Sequence, residues 1–244
     1  MKNIYKQIDE LQNKIIKSNL DDDDRKQIKE YYRIGLTYTS NAIEGNSLNE
    51  TETKIIIEDG ITIGGKRLID HLEVMGHSQA YTHLYDLVKN TTVTQEDIKQ
   101  LHHLFYFRID EKNAGCYRKN RAIITGSKYP LPNASELQDL MDQLIIAIER
   151  IRKEKHPVEA AALAHKEFVF IHPFVDGNGR VARLLMNLIL LQSGYEIAII
   201  SPILRHTYIQ ALEKAHTDDS EFLLFIANAV KETQRDYIRL FIKN

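Results

Sequence analysis

Twelve consecutive residues, from His172 to Arg183, bring together side chains that could share one chemical task. They read HPFVDGNGRVAR and contain an imidazole, a carboxylate, an amide, two glycines and two arginines. An apolar run precedes this stretch over 160–171, and another follows it over 181–191. The pattern predicts a polar loop between two buried helices, which are the rigid support that a functional site needs.

The first half of the stretch favours a base beside an anion-binding turn. Because His172 precedes a proline, it is pushed out of the helical region, so a helix should end there and leave the imidazole free to act near neutral pH. Gly177 and Gly179 permit positive φ angles, and with Asn178 they could turn successive N–H groups inward. The next helix starts near Gly179, so its N-terminus would face the same anion.

The remaining polar residues suit a polyphosphate. Arg180 and Arg183 are three apart and share a helix face, and two guanidiniums above an N–H nest would bind phosphates. Asp176 is the expected oxygen ligand for an accompanying Mg²⁺. Each residue alone has an ordinary explanation, since a Gly-Asn-Gly is also a turn signal and helix arginines are usually solvated. Their combination in one loop favours the phosphate site.

The stretch matches the Fic motif, H-P-F-x-[D/E]-G-N-G-R-x-x-R, at every fixed position, and the chain resembles that family from about Tyr32 to Lys231. The resemblance implies an all-α Fic fold with one β-hairpin over the active site. It also implies an AMP transferase that moves AMP from ATP to a Ser, Thr or Tyr hydroxyl of a protein, itself included. His172 would be the base and Asp176 would hold Mg²⁺. The implied nucleotide-binding residues are Gly177, Asn178, Gly179, Arg180, Arg183, Tyr208 and His216, the last two near the adenine.

A second motif lies near the N-terminus. A helix is expected from about residue 24 to 46, and it places Ser40 and Glu44 on one face. Ser40 to Gly45 resembles the inhibitory pattern [S/T]-x-x-x-E-[G/N] of the Fic family. The resemblance implies that Glu44 pairs with Arg183 and removes it from the ATP γ-phosphate. The expected organisation is an N-terminal helical extension over 1–30, an inhibitory segment over 31–46 and a Fic core over 47–244.

Residues 115–135, here called the flap, differ from the rest of the chain. They contain two glycines, two prolines and the β-branched run Ile123, Ile124 and Thr125, followed by Gly126. This composition predicts a β-hairpin. The resemblance implies that its backbone pairs with a target segment as an added strand.

Hydrophobic periodicity predicts helices over most of the remaining chain. They are expected over about 4–15, 47–58, 66–88, 94–105, 133–154, 157–171, 179–193, 201–216 and 220–242, with a capping box from Ser47 to Glu50 opening the second of them. His71, His77 and His165 are interpreted as structural, and the spacing of His102 and His103 does not favour zinc.

Composition excludes several functional classes. Hydrophobic residues make up 43% and charged residues 27%, and the formal net charge of −2 gives no basic signature for nucleic acid. No apolar run approaches a membrane span, and the N-terminus does not resemble a signal peptide. The lone Cys116 fits a reducing compartment, so a cytoplasmic location is expected.

Two other functions remain open from the sequence. In some Fic relatives the glutamate orients a water that hydrolyses an AMP–protein bond, so Glu44 could instead be catalytic. The chain could also be a nucleotide-sensing interaction module with little turnover. The motif does not select among nucleotide donors, and a homo-oligomer is left open.

Overall fold

A computed structural model describes residues 1–18 and 20–242, and no β-strand is present in those ranges. The helices are α1 (Lys2–Ile16), α2 (Asp22–Ile43), α3 (Glu50–Asp59), α4 (Leu68–Leu87), α5 (Gln95–Tyr106), α6 (Leu137–Glu154), α7 (Pro157–Ile171), α8 (Asn178–Gln192), α9 (Arg205–Lys214) and α10 (Ser220–Phe241). Short 3₁₀ turns precede α6 and α9, at Ala134–Glu136 and Pro202–Leu204. The all-α class expected from the sequence is confirmed.

Helices α7 and α8 form the centre of the structure and flank the motif loop, as the two apolar runs predicted. Twelve of the fifteen residues of α8 are buried, and eight of these twelve are apolar, which is typical of a helix at the centre of a core. The chain leaves α7 after Ile171, because Pro173 disfavours a helical conformation in the residue before it. The loop over 172–177 is therefore held at both ends by packed helices.

Polar caps fix where the peripheral helices begin. Helix α2 begins at Asp22, about two residues before its expected start, and Asp21 caps it, with Oδ1 accepting from the Asp24 N–H at 2.8 Å. The capping box predicted from Ser47 is wrong by two residues, since Asn49 caps α3 together with Glu52. The Ser47 hydroxyl instead donates to Asp70 Oδ2 at 2.7 Å, so it is not available to cap the helix.

The flap does not form the expected β-hairpin. Residues Ile123 to Thr125 form no strand. The chain turns here, and the Ser127 N–H donates to the Ile124 carbonyl at 3.2 Å. An isolated two-stranded ribbon is marginally stable, and nothing beside the flap supplies a further strand among the described residues. Glu213 of α9 fixes the turn, accepting from Ser127 Oγ at 2.9 Å and from the Lys128 N–H at 2.8 Å.

Helix α2 crosses the structure so that its C-terminal turn reaches the first turn of α8. It packs on α3, α4 and α8. Among the helices described, none has the length and apolar character needed to cross a membrane.

Candidate active site

His172 occupies an unusual backbone conformation at the end of α7. Its φ of 51° and ψ of 58° lie in the left-handed region, which costs a residue with a side chain roughly 1–3 kcal/mol. Arg118, which the sequence had not singled out, donates from Nε to the His172 carbonyl at 2.9 Å. Burial lowers the pKa of His172, and the Arg118 cation lowers it further. The imidazole is therefore neutral near pH 7 and able to accept a proton.

The turn after His172 requires its glycine and its asparagine. Gly177 has a φ of 77°, and a Cβ added there would lie 2.7 Å from the Phe105 ring, so both backbone and space demand glycine. The Asn178 amide closes the loop, accepting from the Phe174 N–H and donating to the Phe174 carbonyl, both at 2.9 Å. The Asn178 side chain thus shapes the loop, and α8 begins directly behind it.

Arg183 lies against the C-terminal end of α2, where the sequence had placed the inhibitory pair. Its Nη2 is 2.7 Å from Glu44 Oε1, its Nε donates to Ser40 Oγ at 2.9 Å, and Nη2 also donates to the Ser40 carbonyl at 2.9 Å. Arg183 is 2% exposed, whereas the Glu44 side chain keeps 33% of its surface. Ser40 and Glu44 therefore act on Arg183 together.

The Glu44 carboxylate lies where an anion would bind at the start of α8. A side chain at Gly179 would collide with Glu44 Oε1, so this oxygen sits against the first helical turn. Desolvation opposes the charge, but Arg183 and Arg180 hold the pKa of Glu44 below its usual value, and the carboxylate is ionised. Arg183 Nη1 is buried beside it and has no hydrogen-bond partner among residues 1–18 and 20–242, which leaves this nitrogen able to donate to a further acceptor.

Arg180 faces a different helix. Its Nη1 is 2.7 Å from Glu73 Oε1 on α4, and its guanidinium lies 4.4 Å from the centre of the Phe105 ring. Glu73 Oε2 also accepts from Asn46 Nδ2 at 2.8 Å, so the inhibitory segment reaches both motif arginines. No sequence pattern identifies Glu73 as a partner of Arg180. The only nearby signal is its neighbour Asn46, which lies two residues after Glu44 in the inhibitory segment. In this structure the two guanidiniums do not converge on one point.

One cavity joins seven of the fourteen predicted site residues. It has a volume of about 170 Å³ and contains, among its lining residues, Glu44, Ile124, His172, Gly179, Arg183, Tyr208 and His216. Sites for drug-sized ligands usually measure ~300–1,000 Å³, so a nucleotide needs more room than this cavity offers with Glu44 in it. Of the flap residues predicted to bind a target, Ile123 and Thr125 do not line it, and Ile123 is 90% exposed.

Aromatic residues form one part of the cavity wall. His216 stacks between Phe170 and Tyr129, with ring centroids 3.6 and 3.8 Å away. The Tyr208 hydroxyl is hydrogen bonded to His165 Nε2 at 2.8 Å, and the Tyr208 side chain lines the cavity. His165 is fully buried, as its structural interpretation predicted.

Asp176 stands at the open side of the loop. Its side chain is 58% exposed, and its Oδ1 accepts from the Gly177 N–H at 2.6 Å and lies 3.5 Å from Arg180 Nη2. No cluster of three or more metal-ligating side chains occurs within 1–18 and 20–242. A lone carboxylate still fits Mg²⁺, which commonly takes one or two carboxylates together with substrate phosphates.

Comparisons with known proteins find relatives of this chain by sequence and by fold. The Fic/DOC family model matches residues 92–190. Protein adenylyltransferase Fic of Nematostella vectensis is 36% identical over 219 residues, covering 88% of this chain and 50% of that protein, and that of Drosophila virilis is 35% identical over 204 residues, covering 82% and 42%. The chain thus spans about half the length of these relatives or less.

Solved structures share the fold over nearly the whole chain. Fic-1 from C. elegans has a TM-score of 0.87 at 28% identity, covering 98% of this chain and 72% of that one. A Fic domain containing signaling protein from Bacteroides thetaiotaomicron has a TM-score of 0.83 at 25% identity, covering 98% and 96%.

Proposed function

This chain belongs to the Fic/DOC family, and we propose that it is a protein adenylyltransferase that transfers AMP from ATP to a Ser, Thr or Tyr hydroxyl, with Glu44 holding it in an inhibited state. The observation that carries the proposal is the cavity in which His172, the start of α8, Arg183 and Glu44 meet. A base, an anion-binding helix N-terminus and a buried guanidinium are the groups that nucleotidyl transfer requires.

The chemistry follows from the positions of these groups. His172 accepts the proton of the acceptor hydroxyl, the hydroxyl oxygen bonds to the α-phosphorus of ATP, and the bond to the β-phosphate breaks as pyrophosphate leaves. Arg183 and the N–H groups at the start of α8 neutralise the phosphates, and such positioning and electrostatics supply most of the catalysis in phosphoryl transfer. Asp176 would hold Mg²⁺, which supplies further neutralisation of the phosphate charge.

Inhibition rests on competition for the same donors. The Glu44 carboxylate bonds Arg183 and sits at the start of α8, so it uses the two features that would receive a terminal phosphate. Glu73 meanwhile engages Arg180, the other motif arginine. Glu44 therefore has to leave before ATP can bind in a productive position.

Intact mass spectrometry of Glu44→Gly protein incubated with ATP and Mg²⁺ tests this function. The expected result is a gain of one or more AMP groups, absent from Glu44→Gly/His172→Ala and weak in the wild type. ATP binding by calorimetry without any AMP transfer from Glu44→Gly would refute the enzyme and favour a nucleotide-binding module.

Removal of AMP from a modified protein is a second candidate, and one observation favours it. Glu44 shares the cavity with His172, and only its Oε1 is hydrogen bonded to protein within the described residues, so Oε2 could orient a water. Wild-type protein would then hydrolyse an AMP-modified substrate, and Glu44→Gln would not.

The proposed partners are ATP and a protein with an accessible hydroxyl. The proposed compartment is the cytosol, which the single unpaired Cys116 supports.

A further inference from the structure

Arg118 is a buried arginine whose hydrogen bonds all go to backbone carbonyls. It is 3% exposed, and its side chain donates from Nε to the His172 carbonyl at 2.9 Å, from Nη1 to Asn120 at 2.9 Å and from Nη2 to Pro132 at 2.7 Å. Its own N–H donates to the Pro173 carbonyl at 2.8 Å. One residue therefore binds two consecutive motif carbonyls and two carbonyls of the flap.

The cation has no carboxylate partner in the described ranges. Burial lowers the pKa of Arg118, and no acidic side chain offsets this effect. A buried charge without a counter-ion is costly unless it is hydrogen bonded, and here each of the three guanidinium nitrogens donates to a carbonyl. Lysine could not replace this arrangement, because an ammonium lacks the planar fork that reaches several acceptors in fixed directions.

The bound carbonyls join two elements that are far apart in sequence. Asn120 and Pro132 lie on the two sides of the flap turn, so their contacts with Arg118 fix the width of the flap at its base. The carbonyl of His172 belongs to the strained residue that ends α7. Glu213 holds the tip of the turn separately, so base and tip are anchored by different residues.

We propose that Arg118 is a positioning residue that holds the flap in register with His172, so that an acceptor hydroxyl carried along the flap reaches the imidazole. The proposal rests on the proposed adenylyl transfer and adds a residue to that site. Ile124 of the flap and His172 line the same cavity, so a shift at the flap base changes their separation directly. A misplacement of about 1 Å at a reacting centre can cost roughly 10²-fold in rate.

The charge of Arg118 adds a second, separable effect. As one cause of the lowered pKa of His172, it helps keep the imidazole unprotonated. Arg118→Lys keeps the charge and removes the fork, whereas Arg118→Gln removes the charge. Comparing the two variants therefore separates the positioning of the flap from the effect of the Arg118 charge on the proton affinity of His172.

The test is made in the Glu44→Gly background, with Arg152→Lys as the matched control. Arg152 also donates to a backbone carbonyl, that of Thr91 at 3.0 Å, but it lies on α6 away from the cavity. Arg118→Lys should lower kcat for AMP incorporation roughly 10²-fold and leave the KM for ATP within about threefold. Arg152→Lys should change neither.

Hydrogen exchange and NMR supply readouts that need no turnover. In Arg118→Lys, peptides that span the flap base over 119–122 and 131–134 should exchange faster than in the parent, since Arg118 binds the carbonyls of Asn120 and Pro132. In Arg118→Gln, the pKa of His172 measured by NMR should rise. If AMP transfer is absent from the parent, the proposed function fails, yet these two measurements still decide whether Arg118 positions the flap and the histidine.

Chemical rescue distinguishes the loss of the Arg118 contacts from poor folding of the variant. Added guanidinium ion should restore part of the kcat of Arg118→Ala, and sodium chloride at equal ionic strength should not. The proposal is overturned if Arg118→Lys matches its parent in kcat and flap exchange, or if loss of activity in every Arg118 variant follows loss of helical circular dichroism without rescue.

Discussion

Replacing Glu44 with glycine deletes the carboxylate whose Oε1 lies 2.7 Å from Arg183 Nη2. A hydrogen bond to a charged group contributes roughly 1.5–3 kcal/mol net. In the wild type, ATP has to break this contact before its phosphates reach Arg183. In the variant that cost is absent.

The same free energy sets two observable changes. One factor of ten in affinity corresponds to about 1.4 kcal/mol, so the Kd for ATP should fall roughly 10- to 150-fold. Without ATP, the variant loses the contact and should melt about 3–12 °C lower, at about 2–4 °C per kcal/mol for a domain of this size. Tighter binding together with lower stability is the expected signature, and simple misfolding would weaken both.

Calorimetry with a non-hydrolysable ATP analogue and Mg²⁺ measures the Kd, and thermal melts with and without the analogue measure stability. Glu30→Gly is the matched control, since Glu30 lies on the same helix and pairs with Arg33 at the surface. It should cost about 1 kcal/mol through glycine's low helix propensity and leave ATP affinity unchanged. The competition argument is refuted if Glu44→Gly binds the analogue no more tightly than the wild type and incorporates no more labelled AMP.

Three further outcomes are expected in the Glu44→Gly background. His172→Ala should lower AMP incorporation roughly 10²–10⁴-fold while calorimetric ATP affinity is retained, and equal activity would exclude His172 as the base. Because burial lowers the pKa of His172 below its ordinary 6.5, kcat/KM should rise with pH with a midpoint below 6.5; a midpoint above that value would contradict a neutral base. Asp176→Asn should raise the Mg²⁺ concentration for half-maximal rate more than about tenfold, and an unchanged Mg²⁺ titration would assign the ion elsewhere.

The motif loop and its flanking helices could be predicted because local sequence determines them. His172 ends α7 through the proline that follows it, and Gly177 has the positive φ that its residue type permits. The pairing of Glu44 with Arg183 could not be derived from spacing, since 139 residues separate them. It came from the family resemblance, and the structure brings the two side chains into contact.

The residues that sequence reasoning missed make contacts between distant parts of the chain. Glu73 is 107 residues from Arg180, and Arg118 is 54 residues from His172. A single charged residue belongs to no periodic pattern or motif, so the sequence does not identify the residue that it contacts. The flap prediction failed for another reason, because the preference of β-branched residues for strands reflects packing against neighbouring strands, and Ile123 has none in the described structure.

The electrostatics of Glu44 restrict what can release the site. Its pKa in the folded protein is lowered from 4.5, so its contribution to stability is complete above pH 4.5 and is lost only as pH falls through the lower folded value. A change of pH near neutrality therefore leaves the contact with Arg183 intact. Release has to come from an anion that competes for Arg183 or from movement of the last turn of α2. Arg205 restrains that turn, donating from Nε to the Ile43 carbonyl at 2.6 Å. Because a hydrogen bond weakens steeply as its geometry departs from the optimum, a displacement of about one ångström at this turn would already break the hydrogen bond between Glu44 and Arg183.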